Sequence, residues 1–149
     1  MNLKRKSKGF SLTELMVTVS VVAILASIAY PSYTNQMKKT RRVDAQGALM
    51  GLASAMERFY TVNNTYIGTT DNGAPRPPLP TIYPSEAPLS SSPKYYDLVI
   101  QDITASSYIL RAVPKDAQAG DGYLELDSTG AKMWDKNDDG IEGIGENTW

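Results

Sequence analysis

The sequence predicts an α+β protein, with one long N-terminal helix followed by a small antiparallel sheet. Three observations predict it. Residues 15–37 carry no charge and are mostly Val, Ala, Ile, Leu and Met with a few Ser and Thr. Apolar residues then recur at Val43, Ala45, Ala48, Leu49, Leu52, Ala55, Met56, Phe59 and Tyr60, which is the spacing of one helix face. Finally, residues 95–103, 108–113 and 123–126 are short runs of Tyr, Ile, Leu and Val set apart by Gly, Asp, Ser or Pro, as strands are.

Composition narrows the chemistry. The 149 residues hold 15 Lys and Arg, 16 Asp and Glu, no His and no Cys. That length suits one domain with an appendage. Without His or Cys there is no Ser-His-Asp or Cys-His nucleophile, no ordinary zinc, haem or iron–sulfur site, and no disulfide. Carboxylate pairs are the remaining acid–base groups, so an enzyme is not expected. The net charge of −1 argues against a globally basic nucleic-acid binder. Hard, oxygen-liganded metals stay open.

The N-terminus opens with Lys4-Arg5-Lys6-Ser7-Lys8, then Gly9 and Phe10, then the apolar stretch. About 20 apolar residues on a helix cross a bilayer core. Pro31 is expected to kink or interrupt the helix. Glu14 stands inside the apolar segment, with no Lys or Arg one turn beyond it. A carboxylate there costs about 2.5–3.5 kcal/mol on insertion scales and calls for a partner. Cleavage after Gly9 would create one, the α-amine of Phe10, one helical turn away or on a neighbouring copy. An ordinary signal peptide is the competing reading, with Ser27-Ile28-Ala29 as its cleavage site and Tyr30 as the mature start; it leaves Glu14 without a role. Charge counting does not set the orientation, because Lys38, Lys39, Arg41 and Arg42 balance the leader.

The run Lys8-Gly9-Phe10-Ser11-Leu12-Thr13-Glu14-Leu15 resembles the class III signal of type IV prepilins. The resemblance implies removal of residues 1–9 by a prepilin peptidase, N-methylation of Phe10, retention of the apolar segment, and pairing of Glu14 with the amine of an adjacent subunit. It also implies the type IV pilin fold, a long N-terminal helix packed on a small antiparallel sheet. The leader would face the cytoplasm and the globular domain the periplasm, before assembly into an extracellular fibre.

Further along, the pattern divides the chain into an apolar membrane and assembly helix over 10–33 and a globular part over 34–149. Within the latter, helix continues over 34–60, a loop covers 61–94, and a sheet covers 95–134. A helix from Phe10 to Tyr60 would be about 75 Å long, and its first half has no core to pack on except lipid or copies of itself. Small residues at Ala45, Gly47, Ala48, Gly51, Ala53 and Ala55 allow close approach of a sheet or another helix. Tyr30-Pro31-Ser32-Tyr33, Lys39-Thr40-Arg41-Arg42-Val43-Asp44-Ala45-Gln46, Ala55-Met56-Glu57-Arg58-Phe59-Tyr60 and Asn64-Thr65-Tyr66 extend the resemblance toward PilE-type minor pilins. The cationic cluster from Lys38 to Arg42 reads as a solvated face attracted to lipid phosphates. The alternative is a phosphate-tracking patch for DNA uptake, but no aromatic platform is interleaved with these charges.

Residues 61–94 hold seven of the nine prolines and form an extended surface connection suited to subunit contacts. Asn63-Asn64-Thr65 fits a short glycosylation sequon. Close spacing of the strand runs favours antiparallel pairing, and residues 131–134 are expected to add a short fourth strand after the turn at Asp127-Ser128-Thr129-Gly130. The tyrosines and Trp134 belong to the core and sheet surface.

Residues 135–146 read Asp-Lys-Asn-Asp-Asp-Gly-Ile-Glu-Gly-Ile-Gly-Glu, which fits a calcium loop of EF-hand type. Side chains of Asp135, Asn137 and Asp139, the carbonyl of Ile141 and bidentate Glu146 are the expected ligands, with Gly140 at the sharp turn. No helix is expected before Asp135, and Glu142 stands where an EF-hand has an apolar residue. The competing reading is an Asx-rich turn that binds nothing. Many pilins close this region with a disulfide; here calcium is expected to pin Trp134 and Trp149 instead.

The function this reading predicts is structural: a type IV pilus subunit, minor by resemblance. Its partners would be other pilins, the prepilin peptidase, the inner-membrane assembly machinery and membrane lipid. A pseudopilin of a type II secretion system or a competence pilin is the near alternative. A calcium-dependent adhesin domain on a membrane anchor is the remote one. Removing the four leader cations leaves 11 Lys and Arg against 16 Asp and Glu, a net charge of −5, so the basic stem and acidic tail are expected to attract each other between subunits.

Overall fold

The computed structural model describes residues 9–71, 73–140 and 149. The chain divides into two compact units, Met1–Met37 and Lys38–Trp149. One helix, α1, runs over Leu12–Asn63. Ser11 caps it: its Oγ accepts the amide of Glu14 at 3.2 Å, satisfying a donor that has no partner in the first turn. The expected interruption at Pro31 does not occur, since α1 is continuous through it. A proline removes only one main-chain donor, and long helical turns flank it on both sides. The helix also runs three residues past Tyr60, to Asn63. Asn64 then adopts φ +55° and donates its amide to the Tyr60 carbonyl at 2.7 Å, a left-handed C-terminal stop.

In the first unit every large apolar side chain from Leu12 to Tyr33 is at least half exposed, the extremes being Leu12 (77%) and Val21 (50%). The segment is long and apolar enough to cross a membrane. Among the described residues nothing within the unit buries it.

In the second unit, Ala45, Ala48, Leu49, Leu52, Ala55 and Met56 form the buried stripe of α1. They share a core with one face of a five-stranded antiparallel sheet in sequential order. Its strands are β1 (Glu86–Ala87), β2 (Tyr96–Ile103), β3 (Tyr108–Pro114), β4 (Leu124–Asp127) and β5 (Lys132–Trp134). The register places Leu98 opposite Ala112 and Ile100 opposite Leu110. Ala112 in turn faces Leu124, and Leu110 faces Leu126, so alternate residues line one buried face. β2 to β5 follow the expected runs within two residues at each end. β1 was not expected.

The small-residue stripe on α1 does admit a close neighbour, but at Gly51 it is a loop side chain. A Cβ there would overlap the Tyr83 hydroxyl. The same proline-rich connection covers the outer edge of β2. Arg76 and Ile100 exchange both main-chain hydrogen bonds (3.0 and 2.8 Å), and Leu98 donates to Ser85 (2.8 Å). An exposed strand edge is an aggregation hazard, and the prolines make the covering segment a poor template for further pairing.

Candidate functional site

Two regions hold the residues singled out in the sequence. The first is the start of α1. Phe10 is 76% exposed, and Glu14 lies in the first helical turn on an exposed face. Among the described residues the Glu14 carboxylate meets no cation. A carboxylate near a helix N-terminus is favoured by the helix dipole, but in lipid that does not replace a counter-ion. The leader residues 1–8 lie outside the described residues.

The second region joins α1 to the C-terminal part of the sheet. Arg42 donates to both oxygens of Asp121, Nε at 2.9 Å and Nη2 at 2.6 Å. The same guanidinium stacks on Trp134, 3.6 Å from the ring centroid, and the Trp134 indole donates to the Asp121 carbonyl at 2.7 Å. Tyr96 and Gln118 complete the shell, donating to Asp121 Oδ2 at 3.2 and 2.7 Å. Gln118 also donates to the Lys38 carbonyl at 3.1 Å. Burial and the Asp121 charge push the Tyr96 hydroxyl well above its usual range. A planar, bidentate, stacked pair of this kind suits Arg and not Lys.

This arrangement corrects the reading of the cationic cluster as a solvated face. Arg42 is committed to Asp121. Arg41 lies over Tyr95, 3.9 Å from its centroid, with its Nε buried and without a partner. Only Lys39 of the four is fully at the surface. The attraction expected between this cluster and acidic groups is, for Arg42, satisfied within its own chain.

A smaller clamp holds the near edge of the sheet. Lys115 bridges Glu86 on β1 and Asp97 on β2, at 2.6 Å to Asp97. The Lys115 hydrogen bond and charge hold the Glu86 carboxyl below its ordinary range, and the two carboxylates raise Lys115.

The acidic loop begins on a buried residue. Asp135 is 1% exposed. Its Oδ1 accepts the amide of Asp139 at 3.2 Å and its Oδ2 that of Gly140 at 2.9 Å. Asn137 Oδ1 accepts the same Asp139 amide at 3.2 Å, and its amide nitrogen donates to Asp139 Oδ2 at 2.8 Å. Gly140 has φ +78°, the conformation the sharp turn needs. So hydrogen bonds tie Asp135, Asn137 and Asp139 into one turn, with both Asp135 oxygens accepting main-chain amides. Among the described residues they do not by themselves make a group of three acidic ligands. Ile141 and Glu146 lie outside the described residues.

Residues 31–124 match the family described as type IV minor pilin ComP, DNA uptake sequence receptor. The chain belongs to this family of type IV minor pilins. Residues 4–30 of the pilin match the prokaryotic N-terminal methylation motif. It is 33% identical over 76 residues to prepilin peptidase-dependent protein D of Escherichia coli. That alignment covers 51% of each chain. It is 32% identical over 72 residues to fimbrial protein EcpC of Eikenella corrodens, covering 48% of this chain and 46% of that one. Type II secretion system core protein G of Dickeya chrysanthemi is 26% identical over 99 residues, 62% of this chain and 64% of that one. The chain thus spans about half the length of the first curated relatives it matches. The crystal structure of the non-core minor pilin PilV of Neisseria meningitidis superposes with a TM-score of 0.51 over 76% of this chain and 95% of that one, at 16% identity. That likeness establishes the type IV pilin fold.

With no cysteine, this pilin closes its C-terminal region by other means. Trp134 is held by Arg42 and Asp121. Trp149 donates to the Glu125 carbonyl at 3.0 Å and lies against Lys132, 4.4 Å from its ring centroid. Both indoles therefore have direct protein partners. No sequence signal exposed the Arg42–Asp121 pair, whose members lie 79 positions apart.

Proposed function

We propose that the protein is a minor subunit of a type IV pilus, cut between Gly9 and Phe10, methylated on the Phe10 amine and inserted into the fibre through Glu14. The observation that carries this reading is the abutment of two matches on one chain, the methylation motif over 4–30 and the minor-pilin family over 31–124. The exposed apolar helix supports it, because such a surface requires lipid or other helices around it. Before assembly the protein would reside in the inner membrane, where the prepilin peptidase and the assembly machinery act on it. Mass spectrometry of the native N-terminus tests this. N-methyl-Phe10 is the expected start, and a start at Tyr30 would refute the reading.

The relatives named as type II secretion system core protein G favour a second reading, a pseudopilin. Shearing separates the two. Release of the protein with extracellular fibres supports the pilus. Retention in the envelope, with loss of exoprotein secretion on deletion, supports the pseudopilus.

The family description also favours DNA uptake as the task of the fibre that carries this subunit. Binding of duplex DNA by the mature protein, weakening steeply with salt, is its signature.

We further propose that Asp135, Asn137 and Asp139, with the Ile141 carbonyl and Glu146, bind calcium. The turn that holds the three described side chains together supports this. Calorimetry with calcium should give heat that Asp139→Ala abolishes; no heat, and no change of melting temperature on chelation, would end the idea.

A further inference from the structure

Of the nine tyrosines, seven lie in the second unit and are buried or half-buried. Tyr30 and Tyr33, in the first unit, are the exceptions, 73% and 65% exposed. Neither hydroxyl has a hydrogen-bond partner among the described residues. The two stand three positions apart on α1, so their rings share one side of the helix.

The hydroxyls that precede them behave differently. Between Glu14 and Tyr30 there are three, and each is satisfied within the helix. Thr18 donates to the Glu14 carbonyl at 2.7 Å, Ser20 to the Met16 carbonyl at 2.8 Å and Ser27 to the Ile24 carbonyl at 2.7 Å. Hydrocarbon offers no partner, so a polar group that stays in it needs one on its own chain. An apolar ring with an unpaired hydroxyl is instead favoured at the lipid–water boundary. Ser32, Thr34, Asn35 and Gln36 stand in the same stretch, where the chain turns from apolar to polar.

Spacing then fixes the other end. Tyr30 and Tyr33 come 16 and 19 positions after Glu14, about 24 and 28 Å along a helix that rises 1.5 Å per residue. A hydrocarbon core is about 30 Å thick. With the phenols at one boundary, the Glu14 carboxylate reaches the other, where it escapes the penalty of a charge at the bilayer centre.

We propose that Tyr30 and Tyr33 moor the helix of a single subunit at the far lipid–water boundary and thereby hold Glu14 at the near one, before any neighbouring helix covers it. This mooring rests on the inner-membrane residence proposed above and assigns the residues that set its depth. Without the phenols the apolar run lengthens by about one turn, so the helix slides by about 5 Å. Residues near 29 then sink into the core and Glu14 is pushed out into water.

The test uses the full chain in vesicles of phosphatidylethanolamine and phosphatidylglycerol. Because the protein has no cysteine, Leu15→Cys or Ala29→Cys each gives one site for a bimane reporter. Its depth is read by quenching from lipids spin-labelled near the headgroup or deep in the acyl chain, and flotation confirms insertion of every variant. With both tyrosines present, the two reporters should be quenched more strongly by the shallow label. Tyr30→Leu with Tyr33→Leu should move the reporter at 29 deeper and the reporter at 15 shallower, each by about 5 Å. Tyr30→Trp with Tyr33→Trp should keep both depths, since an indole also prefers the boundary. Unchanged depths in the Leu pair would overturn the mooring while leaving membrane residence intact. So would a deeper reporter at 29 with an unmoved one at 15, which is tilt without sliding. Reporters that neither lipid quenches when both tyrosines are present would overturn the membrane reading as well.

Discussion

The Arg42 guanidinium is pressed between the Asp121 carboxylate, at 2.6 Å, and the Trp134 ring, at 3.6 Å from its centroid. Asp121 is 8% exposed, so removing Arg42 would leave a buried carboxylate without its counter-ion, at a cost of about 3–5 kcal/mol. Arg42→Ala should therefore lower stability to urea by that amount. Arg42→Lys should recover only part of it, because an ammonium offers no bidentate fork and stacks poorly on an indole. Equal stabilities for the Lys variant and the wild type in equilibrium urea unfolding would show that the fork and the stacking contribute nothing.

Gly122 should be the least replaceable glycine of the globular unit. It adopts φ +70° and a Cβ there would collide with the main-chain carbonyl of Asp135. The left-handed conformation alone costs a larger residue about 1–2 kcal/mol, and the carbonyl cannot retreat without moving the end of β5. Gly130 offers the control, with φ +86° and nothing near its missing Cβ. Gly130→Ala should cost only the conformational penalty, while Gly122→Ala should cost clearly more or prevent folding. Matched thermal melts of the two variants decide it.

Two tyrosines share one acid. Tyr66 and Tyr108 donate to Glu57 at 3.0 and 2.9 Å, and their rings meet edge to face with centroids 4.9 Å apart. Burial, followed by the Glu57 hydrogen bond and charge, pushes Tyr66 up to about 12 and raises Tyr108. A raised tyrosine favours the neutral form in the fold. Its contribution is complete below the unfolded value near 10 and is lost as pH rises through the folded one. Tyrosinate absorbance should thus appear in two stages, with Tyr66, Tyr96 and Tyr108 in the later one, coincident with alkaline unfolding above pH 10. Glu57→Gln should move Tyr66 and Tyr108 earlier and leave Tyr96 in place. A single stage in the wild type would contradict this.

The same contrast between local and distant signals decides what was legible in the sequence. The Gly9-Phe10 junction, Glu14 and the apolar run are close in sequence, so pattern alone singled them out, and the methylation motif matched over residues 4–30 contains them. The faces of β2, β3 and β4 follow from alternation. By contrast, β1 has two residues in a proline-rich stretch, and it pairs because β2 has a free edge, not because of its own propensity. Gly51 was legible as a site of close approach, but not Tyr83 as its occupant. Arg42 read as one of four surface cations, since nothing near it in sequence announces Asp121.

Glu14 provides the most direct test of assembly. Its carboxylate is exposed on an apolar helix, and the proposed cleavage before Phe10 would leave an α-amine to supply the matching charge. Burying that amine in a helix bundle without a partner costs about 3–5 kcal/mol, or roughly two orders of magnitude or more in subunit addition at about 1.4 kcal/mol per tenfold. Glu14→Ala should remain in the membrane fraction after alkaline extraction, because the apolar segment is unchanged, yet disappear from sheared fibres. Glu14→Gln should behave like Ala, since it keeps the shape but not the charge. Glu14→Asp should assemble weakly, with the charge one methylene short of its mark. Quantitative immunoblots of membrane and sheared fractions separate these outcomes, and wild-type amounts of Glu14→Gln in fibres would show that charge pairing does not drive incorporation.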